Sequence, residues 1–304
     1  MNFYIVDAFT EKPFGGNTAG VVVLEPEAAF PDEAVMQQVA AELRYSETAF
    51  VRREKPPKGA AAGPAEFSVR YFTPRYEVAL CGHATIAAFG VLFREGIVPA
   101  GAKCINHTLA GDLEVVPGPQ IMMQMAAPQH IQTMHSTELL TTLRKAMGGL
   151  QPDALAPLPV EIISTGLPDL ILPVRDSAVL QKLQPDMEAL SALSGQLDVV
   201  GVHVYALSPE EGSTAHVRNF APRCGVPEES ATGTANAALT YYLYRQGLIR
   251  DGAECAFIQG EAMSRPSRVH TKLTFRNGRP DIRVGGPCAI VARGEILTEF
   301  ENSL

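Results

Sequence analysis

The stretch VRYFTPRYEVALCGHATIAA, residues 69–88, returns in outline as VRNFAPRCGVPEESATGTANAAL at residues 217–239. Val69-Arg70 matches Val217-Arg218, Phe72 matches Phe220, and Pro74-Arg75 matches Pro222-Arg223, all at one constant offset. In each copy a glycine, Gly82 or Gly233, then opens a run of small residues. Apolar and polar positions alternate ahead of the proline, the pattern of a strand that must stop there. The run that follows the glycine is rich in good helix formers. Strand, turn and glycine-started helix in the same order, half a chain apart, predict two similar lobes.

A helix start presents unpaired backbone N–H groups and about half a positive charge. Gly82 leaves room for a ligand against that backbone, with Ala84 one residue into the turn. The second copy offers Thr232, Gly233 and Thr234 in the same place. Two such starts facing across a cleft would hold a small carboxylate. The plainer alternative is two ordinary strand–turn–helix packings with no ligand.

A chain of 304 residues suits two lobes of about 150 residues each. Its 46% hydrophobic and 19% charged residues fit a globular protein with a sizeable core. A net charge of −8 without a strongly basic stretch argues against general nucleic-acid binding. No apolar run is long enough to predict a membrane span. MNFYIVDAFT reads as a strand rather than a signal peptide, having no basic n-region and no cleavage site, so a cytoplasmic location is expected. The five cysteines, at 81, 104, 224, 255 and 288, show no CxxC pair, so neither a zinc site nor a redox motif is expected. Four read as small buried hydrophobes. Cys81 is the exception, because a helix start favours thiolate.

Along the chain, residues 3–8 predict a strand, PFGGNTAG (13–20) a tight turn, and VVVL (21–24) a buried strand. Pro31-Asp32-Glu33 opens a helix with Val35, Val39 and Leu43 on its apolar face. SETAFVRR (46–53) is the next strand, and KPPKGAAAGP (55–64) a mobile hairpin loop. Short strands over LAGDLEVVP (109–117) and QIMMQMAAP (120–128) surround a lobe boundary near residue 118. The first lobe is thus 1–118, with a returning strand near 288–304, and the second lobe is 119–287. A helix over 136–147, a strand–turn–strand over 160–174, a helix over 185–193 and a strand over 199–207 lead to the second copy of the motif. GG at 285 and 286 is the expected crossing back to the first lobe. No dinucleotide or P-loop pattern occurs: GGNTAG lies between two strands and lacks a following helix. No cofactor and no metal are expected.

DAFTEKPFGGNTAGVV, LRYSETAFV, RYFTPRYEVALCGHAT, EESATGTANAAL and QGEAMSRPSRV, taken together and in this order, resemble the PhzF-like family of phenazine-biosynthesis isomerases, related in fold to diaminopimelate epimerase. The resemblance runs over nearly the whole chain. It implies an α+β fold of two pseudo-symmetric lobes, each a barrel-like, mostly antiparallel sheet around a central helix, with the active site between them. It also implies a homodimer, for which an apolar chain with few aromatics is slight further support. The family's catalytic Glu falls on Glu47, its active-site His on His83, and its active-site Asp on Glu229.

A carboxylate at a strand start is commonly a solvated edge residue, and a histidine on a helix is commonly a satisfied core residue. The resemblance reverses both readings. Glu47 in an apolar cleft would both take and give a proton near neutral pH, and His83 would orient substrate or relay the proton. The second lobe offers Gly201-Val202-His203 where the first has Glu47, so one proton-handling group is expected rather than two. The related epimerases use two thiols; here one position matches Cys81, but the other falls at or beside Thr232, a far weaker base. Glu229-Ser230 departs from the family's Asp-Pro, adding a methylene and losing a fixed φ, which puts the phenazine-precursor substrate in doubt. Ser264 replaces the glycine of the family's GRPS. Asn17 binds substrate or simply serves the turn. His107, His130 and His135 have no partner pattern. The reading is a cofactor-independent isomerase moving a proton within a small carboxylate-bearing substrate, with a lyase or epimerase on the same scaffold, or a non-catalytic small-acid binder, as rivals.

Overall fold

The computed structural model describes residues 1–26, 28–55, 63–208 and 212–297, so most of the loop expected at 55–64 lies outside the described residues. The chain divides into two compact units. One holds Met1–Met123 together with the described residues from Gly286 onward, and the other holds Gln124–Gly285. No helix among the described residues is long and apolar enough to cross a membrane.

The first unit contains β1 (Asn2–Ala8), β2 (Asn17–Val23), α1 (Glu33–Leu43), β3 (Thr48–Arg53), β4 (Ala65–Phe72), the short β5 (Glu77–Val78), α2 (Gly82–Arg94), β6 (Cys104–Thr108), β7 (Gly111–Val116) and β8 (Ile121–Gln124). The second contains β9 (Gln129–Thr133), α3 (Thr137–Ala146), β10 (Glu161–Ser164), β11 (Pro168–Pro173), α4 (Ser177–Lys182), α5 (Met187–Leu197), β12 (Gly201–Leu207), β13 (Ala215–Ala221), β14 (Val226–Glu229), α6 (Gly233–Arg245), β15 (Glu254–Gln259), β16 (Ser267–Arg276) and β17 (Arg279–Gly286). The last strand, β18 (Cys288–Glu295), pairs antiparallel with β1.

The two units share one plan. In the first, β18–β1–β2 are antiparallel, β2–β3 parallel, β3–β4 antiparallel, β4–β6 parallel and β6–β7–β8 antiparallel, with β5 beside β4. The second repeats each sense: β9–β10–β11 antiparallel, β11–β12 parallel, β12–β13 antiparallel, β13–β15 parallel and β15–β16–β17 antiparallel, with β14 beside β13. Parallel pairs need a crossover, and α1, α2, α5 and α6 lie in those connections. The expected pair of like lobes with mostly antiparallel sheets is therefore what the chain forms.

Strand alternation sends the two faces of each sheet to different partners. In the first unit Val22, Phe50 and Phe72 pack with Met36 and Ala40 of α1. Its apolar face is thus built on 36 and 40, with Val39 partly buried, rather than on Val35 as the spacing predicts. The opposite face meets α2: the Phe67 and Phe89 rings meet edge to face at 5.5 Å, and Tyr71 Oη lies 2.6 Å from Thr85 Oγ1. In the second unit Leu170, Leu172, Val202, Val204 and Phe220 join the core around α3, α4 and α5, while Tyr205 meets Tyr242 of α6. Helix α2 is buried from His83 through Leu92, which is why its sequence is apolar on all sides.

Four local expectations change. β2 begins at Asn17, inside the stretch read as a turn, because Asp7 organises the turn before it: its carboxylate accepts from Phe14 N (2.7 Å) and Thr18 Oγ1 (2.6 Å). CINHT forms the unexpected strand β6, and α4 appears where no helix was expected, capped by Asp176 accepting from Val179 N at 2.9 Å. Two of the histidines expected to lack partners have them: His107 meets Asp112 at 2.7 Å across the β6–β7 hairpin and Glu66 at 3.2 Å, and His130 meets Thr133 Oγ1 at 2.9 Å.

Candidate active site

In the first unit the site is assembled by two chain segments. Cys81 is the extended N-cap of α2 (φ −138°, ψ 119°), and Gly82, His83 and Ala84 form the first turn. Glu47 immediately precedes β3 and is fixed through its carbonyl, which accepts from Gly20 N at 3.1 Å. That register brings Glu47 Oε2 to 3.3 Å from His83 Nε2, at ion-pair distance, with Ser46 Oγ 3.2 Å from the same nitrogen. Cys81 Sγ lies 3.3 Å from Nδ1 and 4.0 Å from Nε2 of the same ring. The His83 side chain is 6% exposed and that of Glu47 20%, so the pair is largely shielded while the carboxylate keeps an open side. A Cβ added to Gly82 would meet only Met123 Cε, at 3.7 Å, which leaves space beside the α2 start.

Glu47, Cys81 and His83 each offer one ligand atom within 4.8 Å of the others. Oxygen, sulfur and nitrogen donors of this kind suit zinc. Their sequence positions carry no metal spacing, and the direct contacts with His83 already account for their proximity.

In the second unit Thr232 is the extended N-cap of α6 (φ −125°, ψ 103°), with Gly233 and Thr234 following. Its hydroxyl donates to Glu229 Oε2 at 2.6 Å and accepts from Gln259 Nε2 at 3.0 Å. Thr165 Oγ1 holds Thr234 O at 2.9 Å. Behind this start runs a buried polar chain. Asn219 Nδ2 lies 3.3 Å from His203 Nδ1 and can only donate to it. His203 Nε2–H therefore faces Asn236 Oδ1, at 3.3 Å. Asn236 Nδ2 donates to Gln259 Oε1 (2.9 Å) and Thr232 O (2.8 Å). Burial pushes His203 down to about 4, consistent with a neutral ring. Beside Asn219 stands Asp169, pushed up to about 8 by burial first and then by the charge of Glu229.

A sequence profile of the phenazine biosynthesis-like protein family (PhzC-PhzF) matches residues 6–294. The chain belongs to the PhzF-like family. It is 30% identical over 306 residues to the "Uncharacterized isomerase YddE" of Escherichia coli O157:H7, covering 96% of this chain and 97% of that one. It is 33% identical over 308 residues to a human phenazine biosynthesis-like domain-containing protein, covering 97% and 99%. Among solved structures it is similar to the Bacillus anthracis phenazine biosynthesis protein of the PhzF family, with TM-score 0.83, 28% identity, and coverage of 98% and 99%. A hydroxyproline epimerase from Agrobacterium vitis, 13% identical with TM-score 0.61, shares the fold.

Within this PhzF-like frame the expected residues fall into two groups. Glu47, His83, Gly82 and Ala84 come together at the α2 start; Glu229, Thr232, Gly233 and Thr234 come together at the α6 start. Asn17 is buried at the first position of β2, opposite Ala8. Cys81 and Thr232 hold equivalent N-cap positions, so a thiol stands in one helix start and a hydroxyl in the other. Ser46, Asp169 and the Asn219–His203–Asn236–Gln259 chain escaped the sequence reading. Asp169 left one legible trace, a carboxylate inside the otherwise apolar strand PDLILP.

Proposed function

We propose that the protein is a cofactor-independent isomerase that moves a proton within a small carboxylate-bearing metabolite. The contact between Glu47 Oε2 and His83 Nε2 at the start of α2 carries this reading. Backbone N–H groups at that start favour a bound carboxylate. Glu47 takes a proton from a substrate carbon; the electron pair left behind shifts through an adjacent unsaturated group; Glu47, now a carboxylic acid, returns the proton to a second carbon on the same face. No electrons are gained or lost. His83 fixes the Glu47 oxygen and shares the proton's charge, while Cys81 and Ser46 hold the ring. Glu229, tied to Thr232, positions substrate rather than exchanging its protons. The isomerase names of relatives spanning nearly the full chain support the reaction class.

The deciding experiment screens small carboxylic acids by thermal shift and then follows the stabilising ligands by NMR in deuterated buffer. An isomerase exchanges substrate protons with solvent or shifts a double bond. A lyase releases a fragment, an epimerase inverts a centre, and a binder raises the melting temperature with no exchange at all.

A further inference from the structure

The second unit has no carboxylate at Gly201, the position matching Glu47, but one stands directly beside it. Asp169 of β11 is the registered partner of Gly201 in β12. Asp169, His203, Asn219 and Glu229 share one sheet face, since His203 pairs with Asn219 and Asn219 with Glu229.

The hydrogen-bond directions on this face separate the two acids. Starting from Asn219, donors run through His203, Asn236 and Gln259 to Thr232, whose hydroxyl donates to Glu229 Oε2. Glu229 Oε2 is thereby held as an acceptor. Asp169 is 1% exposed, receives only Asn219, and its Oδ1 has no partner among the described residues. An ionised carboxylate with a buried, unpartnered oxygen is costly, and protonation removes the charge, the larger part of that cost.

We propose that Asp169 and Glu229 form an acid pair in which Asp169 stores the proton and Glu229 the charge, making Asp169 a positioning residue that acts through Glu229. The inference rests on the reading of Glu229 as the substrate-positioning carboxylate. Two like charges so placed resist ionising together, and the proton belongs to the pair. Glu229 is the charged group felt at Asp169. Cys224, exposed rather than buried as its sequence context suggests, has its thiol pushed up by partial desolvation first and also feels both acids. Neighbouring Arg223 is engaged with Asp198 Oδ1 at 3.1 Å and with the carbonyls of Ser194 and Val199.

The test is carboxyl-carbon NMR of the full chain across pH 3–10, without substrate, for wild type, E229Q, D169N and D169A. The expected result is one buried aspartate titrating near 8 in wild type, absent from D169N and moved to lower pH in E229Q. Because E229Q reads Asp169 in place, the test survives a D169N chain that fails to fold. An aspartate titrating near its ordinary value of about 4, or one unmoved in E229Q, overturns the pair. A purely structural role would leave the E229Q titration unchanged. Failure of the isomerase reading would show instead as missing substrate exchange in wild type, a separate measurement.

Discussion

Thr85 of α2 and Asn236 of α6 make the same bond in the two halves of the molecule. Thr85 Oγ1 donates to Cys81 O at 2.8 Å, and Asn236 Nδ2 donates to Thr232 O at 2.8 Å. Each side chain reaches back one turn to clamp the carbonyl of its N-cap, fixing how the helix start is presented. What each then touches differs. Thr85 meets Tyr71 Oη, which also accepts from Asn106 Nδ2 at 2.9 Å. Asn236 meets His203 and Gln259. A phenol filling the space in one half is replaced by an amide and an imidazole in the other.

This difference sets the cost of truncation. Asn236→Ala strands His203 Nε2–H and weakens the setting of Gln259, both buried, at about 1–3 kcal/mol for each unsatisfied group. Thr85→Val keeps the shape and strands one buried donor, the Tyr71 O–H, while Tyr71 still accepts from Asn106 Nδ2. Urea unfolding should show Asn236→Ala as the more destabilised variant, by about 1 kcal/mol or more, one further unsatisfied group. Equal losses would mean that the second network carries no special weight.

Ser264 supplies a prediction of opposite sign. It sits at φ 55°, ψ 28°, ending the turn Glu261–Met263, where an L side chain is strained and glycine is not. Ser264→Gly should therefore stabilise by about 0.5–1 kcal/mol, net of glycine's larger unfolded-state entropy. A lower denaturation midpoint would show that the serine side chain offsets its strain.

The repeat was legible because Pro, Gly and Phe keep their spacing through both copies, and because buried helices such as α2 are apolar on every side. Glu47 and His83 stood out through motif resemblance; their contact depends on Gly20 N holding the Glu47 carbonyl, which no local pattern reports. β6 was missed because CINHT is short and weakly alternating. α4 was missed because a six-residue helix has one turn of signal and a cap. Asp169 shows in the sequence only as a carboxylate inside the apolar strand PDLILP; its significance lies in the β11–β12 register, which puts it beside a glycine more than thirty residues away.

Asp169 and His203 bend the pH–stability curve from opposite sides. Asp169, pushed up to about 8, binds its proton more tightly folded than unfolded, so its contribution is complete below about pH 4 and is lost as pH rises through about 8. His203, pushed down to about 4, contributes fully above about pH 6.5 and loses that contribution as pH falls through about 4. Melting temperatures for Asp169→Asn should therefore gain on wild type between pH 5 and 8. A constant difference over that range would contradict the buried proton.

The Glu47, Cys81 and His83 donors predict inhibition by zinc. A tetrahedral zinc site places nitrogen and oxygen ligands about 3.3 Å apart, the separation already present between His83 Nε2 and Glu47 Oε2. Added zinc should suppress proton exchange reversibly, Cys81→Ser should weaken the inhibition at least tenfold, and a chelator should leave basal exchange unchanged. Loss of basal exchange on chelation would point instead to a resident metal.

The sharpest test is of the base itself. Glu47→Gln keeps the side-chain shape and a hydrogen-bonding group near His83 but cannot accept and return a proton. General acid–base catalysis is commonly worth about 10²- to 10⁴-fold, or roughly 3 to 5 kcal/mol in the barrier. The Gln variant should bind a ligand nearly as tightly as wild type and lose about that factor in deuterium uptake. Cys81→Ala removes a sulfur that contacts both nitrogens of His83, and the equivalent position in the second unit is the hydroxyl of Thr232, so no second thiol completes a two-base mechanism. Its loss should be about tenfold or less, and Cys81→Ser should recover part of it. If Cys81→Ala abolishes exchange while Glu47→Gln leaves it intact, the thiol is the base and Glu47 only orients His83.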